Sequence, residues 1–578
     1  MFIKTTKVRN SEYIKLVESY RENGKTKHRV LYNFGRADLI RNDESFLRIV
    51  KRLCEIANIS VAKGGNTDRD NLLDGCGEAV LYNYGYLAYL QLWRELGIEG
   101  SLEEAQCNTK VTYSLPETVF LMALQHLLEP MSKLQTHERQ ARYFHMPEIE
   151  LHHMYRALEQ LSERKEEIES SLFEYNYVRV NKKVDVVFYD VTTVRFESVI
   201  ADELREFGFS KDCRFNEVQV VLGMIIDADG LPVGYELFKG NTFDGKTMVR
   251  ALGNIKARFG INRVIIVADR GLNSKDNLNL IKDAGYGYVM ASKLKGACAA
   301  LQKKALAEAG FTDIYDKEGN LSFRYKTMDH VNVFTDENKQ RQELSENIVV
   351  SYSPRRAKKD AADRERLIEK AKRLLENPEK IKASNKRGGK KYINQDNPDK
   401  DTATFSLALD KIENDAKFDG YYAIQTSEKS MSATDVMDAY HTLWKIEESF
   451  RVMKTTLELR PVYHYKPSRI EGHFVVCFLA FLMERKMELL LKSNDESEDE
   501  SVGSVSPNHI REALNTMQLA AVTTKFGESY IKTSAHPLGA KIFKRLNLDL
   551  PANLNTKNDL IACFKLAGDA LPTQLAFL

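Results

Sequence analysis

Paired cysteines are missing from this chain. Its 578 residues hold seven cysteines, at 54, 76, 107, 213, 298, 477 and 563, nowhere in a Cys-x-x-Cys spacing. Scattered thiols in odd number argue for a reducing compartment, and against both a disulfide scaffold and a structural zinc site. A charge excess is missing too. The 84 Lys and Arg against 82 Asp and Glu leave +2, so any polyanion-binding surface must come from local clustering. No apolar run is long enough to span a bilayer. The most apolar, Phe474–Met483, leads into Glu484, Arg485 and Lys486 and reads as a core helix. The N-terminal MFIKTTKVRNSEY lacks the apolar region of a secretory signal. These absences predict a cytoplasmic protein with no membrane partner. What remains is an ordinary globular composition, 43% hydrophobic and 29% charged, in a chain long enough for several folding units.

Charge and periodicity divide the chain. Residues 1–36 carry nine Lys or Arg against three Glu and predict a basic β-hairpin arm. Its strands are EYIKLVESY and KTKHRVLYNF, joined at Asn23-Gly24, the dipeptide of a type I′ turn. Residues 37–180 repeat apolar positions at helical spacing, as in YNYGYLAYLQLWRELGI and LPETVFLMALQHLLEP. That predicts a helical domain, read either as a structural bundle or as a DNA-binding one. From Val184 the texture turns to strands: VDVVFYD closing on Asp190, then VQVVLGMIID and LPVGYELF. A helix, RVIIVAD closing on Asp269, a second helix and YGYVMAS follow. The order β–β–β–α–β–α–β predicts an α/β core over 181–294 with strands buried on both faces. Residues 295–425 interrupt it with further strands and a basic stretch, 355–391, holding fifteen Lys or Arg against six acids. The core resumes over 426–492. The acidic, serine-rich 493–506 reads as a linker, and 507–578 as a smaller helical region expected to serve dimerisation.

The chemistry concentrates in Tyr440–Arg460, YHTLWKIEESFRVMKTTLELR. On one continuous helix, 3.6 residues per turn brings Tyr440, Glu447, Arg451 and Lys454 onto a narrow sector, with Glu448 nearly a quarter turn away. A carboxylate beside a phenol and two cations suits a place where a metal ion and a polyanion meet. The alternative is a solvated Glu447–Arg451 pair, worth a few tenths of a kcal/mol. Ligands of α/β sheets gather outside strand ends. Asp190 and Asp269, joined by Glu447, would make an all-oxygen site for Mg2+ or Mn2+. Two such ions clamp the attacking and leaving oxygens of phosphoryl transfer. Taken singly, each aspartate also reads as a turn or cap residue.

The spacing of Tyr440, position 443, Glu447 and Lys454 resembles the Y-(2)-R-(3)-E-(6)-K signature of the DDE transposases of bacterial insertion sequences, in the IS-four superfamily. FYDVTTVRFES, GNTFDGKTM, IVADRGLNS, WKIEESFRVMK and RPVYH are similar as well, and the likeness spans nearly the whole chain. It implies a multidomain α+β protein: a ribonuclease-H-like α/β core interrupted by a β-containing insertion domain, with a mainly helical N-terminal region. It implies a transposase that binds terminal inverted repeats of double-stranded DNA, pairs two ends as a homodimer, cleaves the DNA and joins it to target DNA. Asp190, Asp269 and Glu447 would be catalytic and hold two Mg2+ or Mn2+ ions. Tyr440, Arg451 and Lys454 would contact phosphate, while Arg355, Arg356, Lys386, Arg387, Lys390 and Lys391 would add DNA affinity that weakens with salt. Leu443 stands where the signature has arginine, with Lys445 or Arg451 as the expected substitute. Some relatives stack a flipped base on a tryptophan of the insertion. The two tryptophans here, Trp93 and Trp444, both lie outside it, which leaves an aromatic such as Tyr392 for that role. The rival readings are a ribonuclease-H-like nuclease without transposition and a non-catalytic DNA-binding protein derived from a transposase.

Overall fold

The computed structural model describes residues 2–566, apart from 53–79, 209–215, 243–246, 336–339, 378–380, 382–387, 396–404, 493–504 and scattered shorter stretches. The turn at Asn23-Gly24 and most of the acidic linker therefore lie outside the described residues. Two compact units separate, Met1–Glu78 with Thr523–Gly527, and Ala79–Val522 with Glu528–Leu578.

The first unit holds a three-stranded antiparallel sheet of β1 (Phe2–Val8), β2 (Ser11–Glu22) and β3 (Lys25–Arg36), followed by the short helix Ala37–Ile40. The expected hairpin is β2–β3; β1 adds a strand to its edge. The described start of the chain is thus mainly β. The expected helices begin at Leu87, after the short β4 (Val80–Asn83).

The second unit is built on a nine-stranded sheet. Its strands are β5 (Val186–Arg195), β6 (Gln219–Asp227), β7 (Pro232–Lys239), β8 (Ile265–Ala268), β9 (Gly287–Ala291), β10 (Thr312–Tyr315), β11 (Leu321–Thr335) and β12 (Arg341–Tyr352). After the two-stranded β13 (Ile393–Gln395) and β14 (Phe405–Leu407), β15 (Tyr421–Thr426) completes it, in the order β10-β11-β12-β15-β9-β8-β5-β6-β7. β8 runs parallel to β5 and β9, and the other pairings are antiparallel. The strands of 295–425 therefore extend the core sheet, because β12 pairs with β15 and β15 with β9. Both faces of the β5–β9 part of the sheet are covered. Val187, Tyr189, Val191 and Ile266 pack with Met248, Leu278 and Ile281 of the helices Met248–Phe259 and Lys275–Asp283. Phe188, Val194, Leu222 and Val267 face a larger core shared with the N-terminal helices and the helix Pro467–Lys492.

That last helix is apolar on all sides, as a central helix must be, and almost every residue from Ile470 to Met487 is buried. Gly472 lets it approach the helix Leu151–Glu163. A Cβ there would stand 1.9 Å from the carbonyl oxygen of Leu158. Among the described residues no helix is long and apolar enough to cross a membrane. The C-terminal region is less helical than expected: β16 (Gln518–Thr524), β17 (Gly527–Lys532) and β18 (Leu554–Asn555) join β4 in a four-stranded sheet beside three short helices.

Candidate active site

β5 does not stop at Asp190. It runs on to Arg195 because its pairing with β6 continues through Arg195↔Gln219. The parallel ladder with β8, however, ends at Tyr189↔Ala268. Asp190 continues β5, while Asp269 is the first residue past the end of β8, each one residue beyond the last pair of that ladder; neighbouring strands lie roughly 5 Å apart. Side chains alternate across a strand. With Tyr189 and Val191 committed to one face, Asp190 shares the other with Phe188, Thr192 and Val194, the face of the larger core. Asp269, just past the end of β8, lines a cavity with Tyr440 and Glu447.

The helix Trp444–Arg451 packs on this face against β5. Ile446 and Phe450, one turn apart, enter the core, while Glu447 is exposed. Glu448 points elsewhere. Its Oε2 is 3.2 Å from Nη1 of Arg485, a guanidinium buried in the helix Pro467–Lys492 that also pairs with Glu488. Glu448 thus clamps the helix down and Glu447 faces out.

Tyr440–Arg460 is not the single helix that its composition predicts. Ala433–His441 ends before Trp444–Arg451 begins, and a π-helical turn spans Val452–Thr456. At the break Leu443 N–H donates to Tyr440 O and Ile446 N–H to Leu443 O, a tightened ladder. The Thr442 hydroxyl donates to Asp438 O at 2.8 Å, a back-bond of the kind that bends helices. Tyr440 and Glu447 nevertheless line the same cleft with Asp269, a cavity of about 1080 Å³. The Tyr440 hydroxyl donates to Oδ1 of Asp269 at 3.3 Å and accepts from the Tyr422 hydroxyl at 2.7 Å. Burial, then the Tyr422 contact, pushes the Tyr440 phenol well above its ordinary value. It stays a donor. Lys454 Nζ bonds the Thr192 hydroxyl, two residues beyond Asp190 on the same face.

Neither expected substitute for the missing arginine reaches the cleft floor. Lys445 donates to Ala228 O at 2.7 Å in the β6–β7 turn. Arg451 pairs with Glu448 at 3.4 Å, not with Glu447, and its side chain is 71% exposed. Buried Leu443 occupies the signature position. The guanidinium near the cleft comes from the helix Pro354–Leu375 instead. Arg355 and Arg356 both line the cavity, and Arg356 lies 4.5 Å over the Tyr422 ring. Two residues that sequence reasoning passed over belong here: Tyr422, carried by the strand-like FDGYYAIQTS, and Trp444, 51% exposed on the cleft wall. Trp93 is buried in the core.

Of the remaining predicted residues, Lys390 donates to Ile381 O at 2.6 Å and Lys391 pairs with Asp415. Lys386 and Arg387 lie outside the described residues. Tyr392 is buried and donates to Asp415 Oδ2 at 2.7 Å, so its ring cannot stack on a base. It packs the small core of the insertion with Ala371, Ile381 and Ile393.

The loop after Asp269 is tied from behind. Asn273 donates to Ala291 O and to Gln425 Oε1, at 2.7 and 3.0 Å. Gln425 and Tyr288 in turn donate to Glu346, whose carboxyl is pushed up to about 7 by burial.

Comparison with known families matches residues 182–483 to the transposase DDE domain and residues 3–62 to the N-terminal domain of IS1634 family transposases. No curated protein matches. Among solved structures, the piggyBac transposase synaptic complex with hairpin DNA is 7% identical, covering 86% of this chain and 89% of that one, with a TM-score of 0.35. The Mos1 transposase paired-end complex with left transposon end is 13% identical, covering 31% and 60%, with a TM-score of 0.14. Scores this low do not establish a shared fold.

Proposed function

The chain belongs to the DDE transposase family and is a transposase, an enzyme of metal-dependent DNA cleavage and strand transfer; on that premise we propose that Asp190, Asp269 and Glu447 are its catalytic carboxylates. The observation that supports this reading is that Asp190 and Asp269 each follow the last pair of the β5–β8 ladder, with the Glu447 helix packed on β5 and Glu447 lining a cavity with Asp269. We infer a ribonuclease-H-like core from the strand order β7-β6-β5-β8-β9, with β5, β8 and β9 parallel.

Three carboxylates form a hard, all-oxygen donor set that fits Mg2+ or Mn2+. Such ions, two in this proposal, activate the attacking oxygen and stabilise the leaving one. The chain's own groups orient this set. The Tyr440 phenol holds Asp269 by one oxygen, and Tyr422 holds Tyr440. Lys454 places a cation two residues from Asp190 and, with Arg355, Arg356 and exposed Arg451, engages DNA phosphates. Pairing of two transposon ends by a homodimer, with the C-terminal region in the interface and recognition of inverted repeats by the N-terminal region, completes the proposal.

Replacing Asp190 by Asn tests it. With Mg2+ and end-containing duplex, cleavage is expected to vanish while binding persists. Retained Mg2+-dependent cleavage would remove Asp190 from the triad.

A further inference from the structure

Away from the carboxylates, the fold gathers a second set of donors of another chemical class. His126 lies on the helix Leu115–Leu128, and His473 and Cys477 lie one turn apart on the helix Pro467–Lys492. All three are buried, and a ring nitrogen of each histidine and Cys477 Sγ lie within 4.8 Å of one another. Cys477 Sγ is 3.6 Å from His473 Nε2 and 3.9 Å from His126 Nε2. Tetrahedral zinc, with bonds of about 2.0 Å to nitrogen and 2.3 Å to sulfur, asks for nitrogen–sulfur edges of roughly 3.5 Å. The two nitrogen–sulfur distances lie within a few tenths of an ångström of that edge, and the two ring nitrogens, within 4.8 Å of each other, would have to draw closer as well.

The outer contact of His126 suits ligation. His126 Nδ1 lies 2.8 Å from the carbonyl oxygen of Leu457. A carbonyl only accepts, so Nδ1 carries the proton and Nε2 presents its lone pair toward Cys477. A ligating histidine typically has such an outer partner. A bound metal would displace the Cys477 thiol proton. Access exists: a cavity of about 840 Å³ reaches His126 and His473, and His464 lines it with its ring 5.3 Å from that of His473.

We propose that His126, His473 and Cys477 form a transition-metal site of the zinc type, with its fourth position toward the cavity, open to water or to His464. Nitrogen and thiolate donors select Zn2+ over the Mg2+ that suits the carboxylates. The metal would tie the helix Leu115–Leu128 to the helix Pro467–Lys492, and through His126 to Leu457, the residue after the π-turn that carries Lys454. It therefore braces the far end of the Glu447 segment without touching DNA. The absence of Cys-x-x-Cys argued against such a site, yet His473-x-x-x-Cys477 at helical spacing was the signal in plain view.

The full-length chain, stripped with chelator and titrated with Co2+, tests this. A thiolate-to-cobalt charge-transfer band and the visible bands of a tetrahedral ion are expected, both bleached by Zn2+. Cys477→Ser should abolish the charge-transfer band, and Glu447→Gln should keep it. His126→Asn, which leaves the thiol in place, should weaken Co2+ binding by more than the ~10–100-fold typical of losing an outer partner. No band in the unmodified chain, or an undiminished band in Cys477→Ser, overturns the site. If Cys477→Ser fails to fold, the His126→Asn titration decides: unchanged affinity overturns it. None of these readouts depends on DNA cleavage.

Discussion

Glu447 and Glu448 are adjacent, chemically alike and engaged in opposite ways, so replacing them one at a time separates function from stability. Glu447 is exposed on the cleft. Surface substitutions of this kind stay within about 0.5 kcal/mol, so Glu447→Gln should leave the thermal midpoint unmoved and abolish Mg2+-dependent cleavage. Glu448→Ala removes one of two carboxylates from Arg485, whose side chain is only 2% exposed. Stranding a buried charge entirely costs about 3–5 kcal/mol. Here Glu488 remains, and Glu448 is itself 23% exposed and partly screened, which brings the expected cost to about 2 kcal/mol. Burial first, and the Glu448 charge after it, raise the Glu488 carboxyl; removing Glu448 relieves the second, so Glu488 ionises more readily and limits the loss. The expected result is a midpoint lower by a few degrees with cleavage largely kept at a temperature where the chain is folded. Melting curves and single-turnover cleavage on one end-containing duplex measure both. Two outcomes refute the reasoning: cleavage surviving in Glu447→Gln, or Glu447→Gln destabilising as much as Glu448→Ala.

Tyr440→Phe removes a hydroxyl that bridges Tyr422 and Asp269. The loss of about 1 kcal/mol of orientation predicts cleavage slowed roughly five- to tenfold with end binding nearly unchanged, and an unaltered single-turnover rate would count against the bridge. Glu346 predicts a pH dependence of stability. Its folded value of about 7 lies above the ordinary 4.5, so the native state holds the proton more tightly. Its contribution is intact at acid pH and is lost as pH rises through about 7, by at most ~3 kcal/mol. Glu346→Gln keeps an acceptor for Tyr288 and Gln425 and should flatten that part of the profile. Parallel denaturation midpoints from about pH 5 to 8 in the two proteins would sink the assignment.

Much of this protein is written locally. Period-two and apolar strand patterns predict β2, β3 and β5 through β9, because a strand's buried faces are set by residues one or two positions apart. The uniformly apolar Phe474–Met483 predicts a central helix for the same reason. The motifs around Asp190, Asp269 and Glu447, read with their resemblance, point to the transposase family, which the family match bears out. Other features depend on groups far apart in sequence. β5 passes Asp190 because β6 offers it partners. Tyr392 is buried because Asp415 and the insertion's own core claim it. Leu443 is buried while Arg356, about ninety residues earlier in the chain, lines the cleft, and Arg451 pairs with Glu448, one turn back on the same helix. His126 meets His473 and Cys477 across more than three hundred residues. Local patterning foretold most core strands and the family, since periodicity and motif spacing act within a few residues. It did not foretell the helix break after Tyr440 or the strands of the C-terminal region. The tertiary structure decided which side chains meet, because proximity in a core is settled by the packing of elements that no local pattern records.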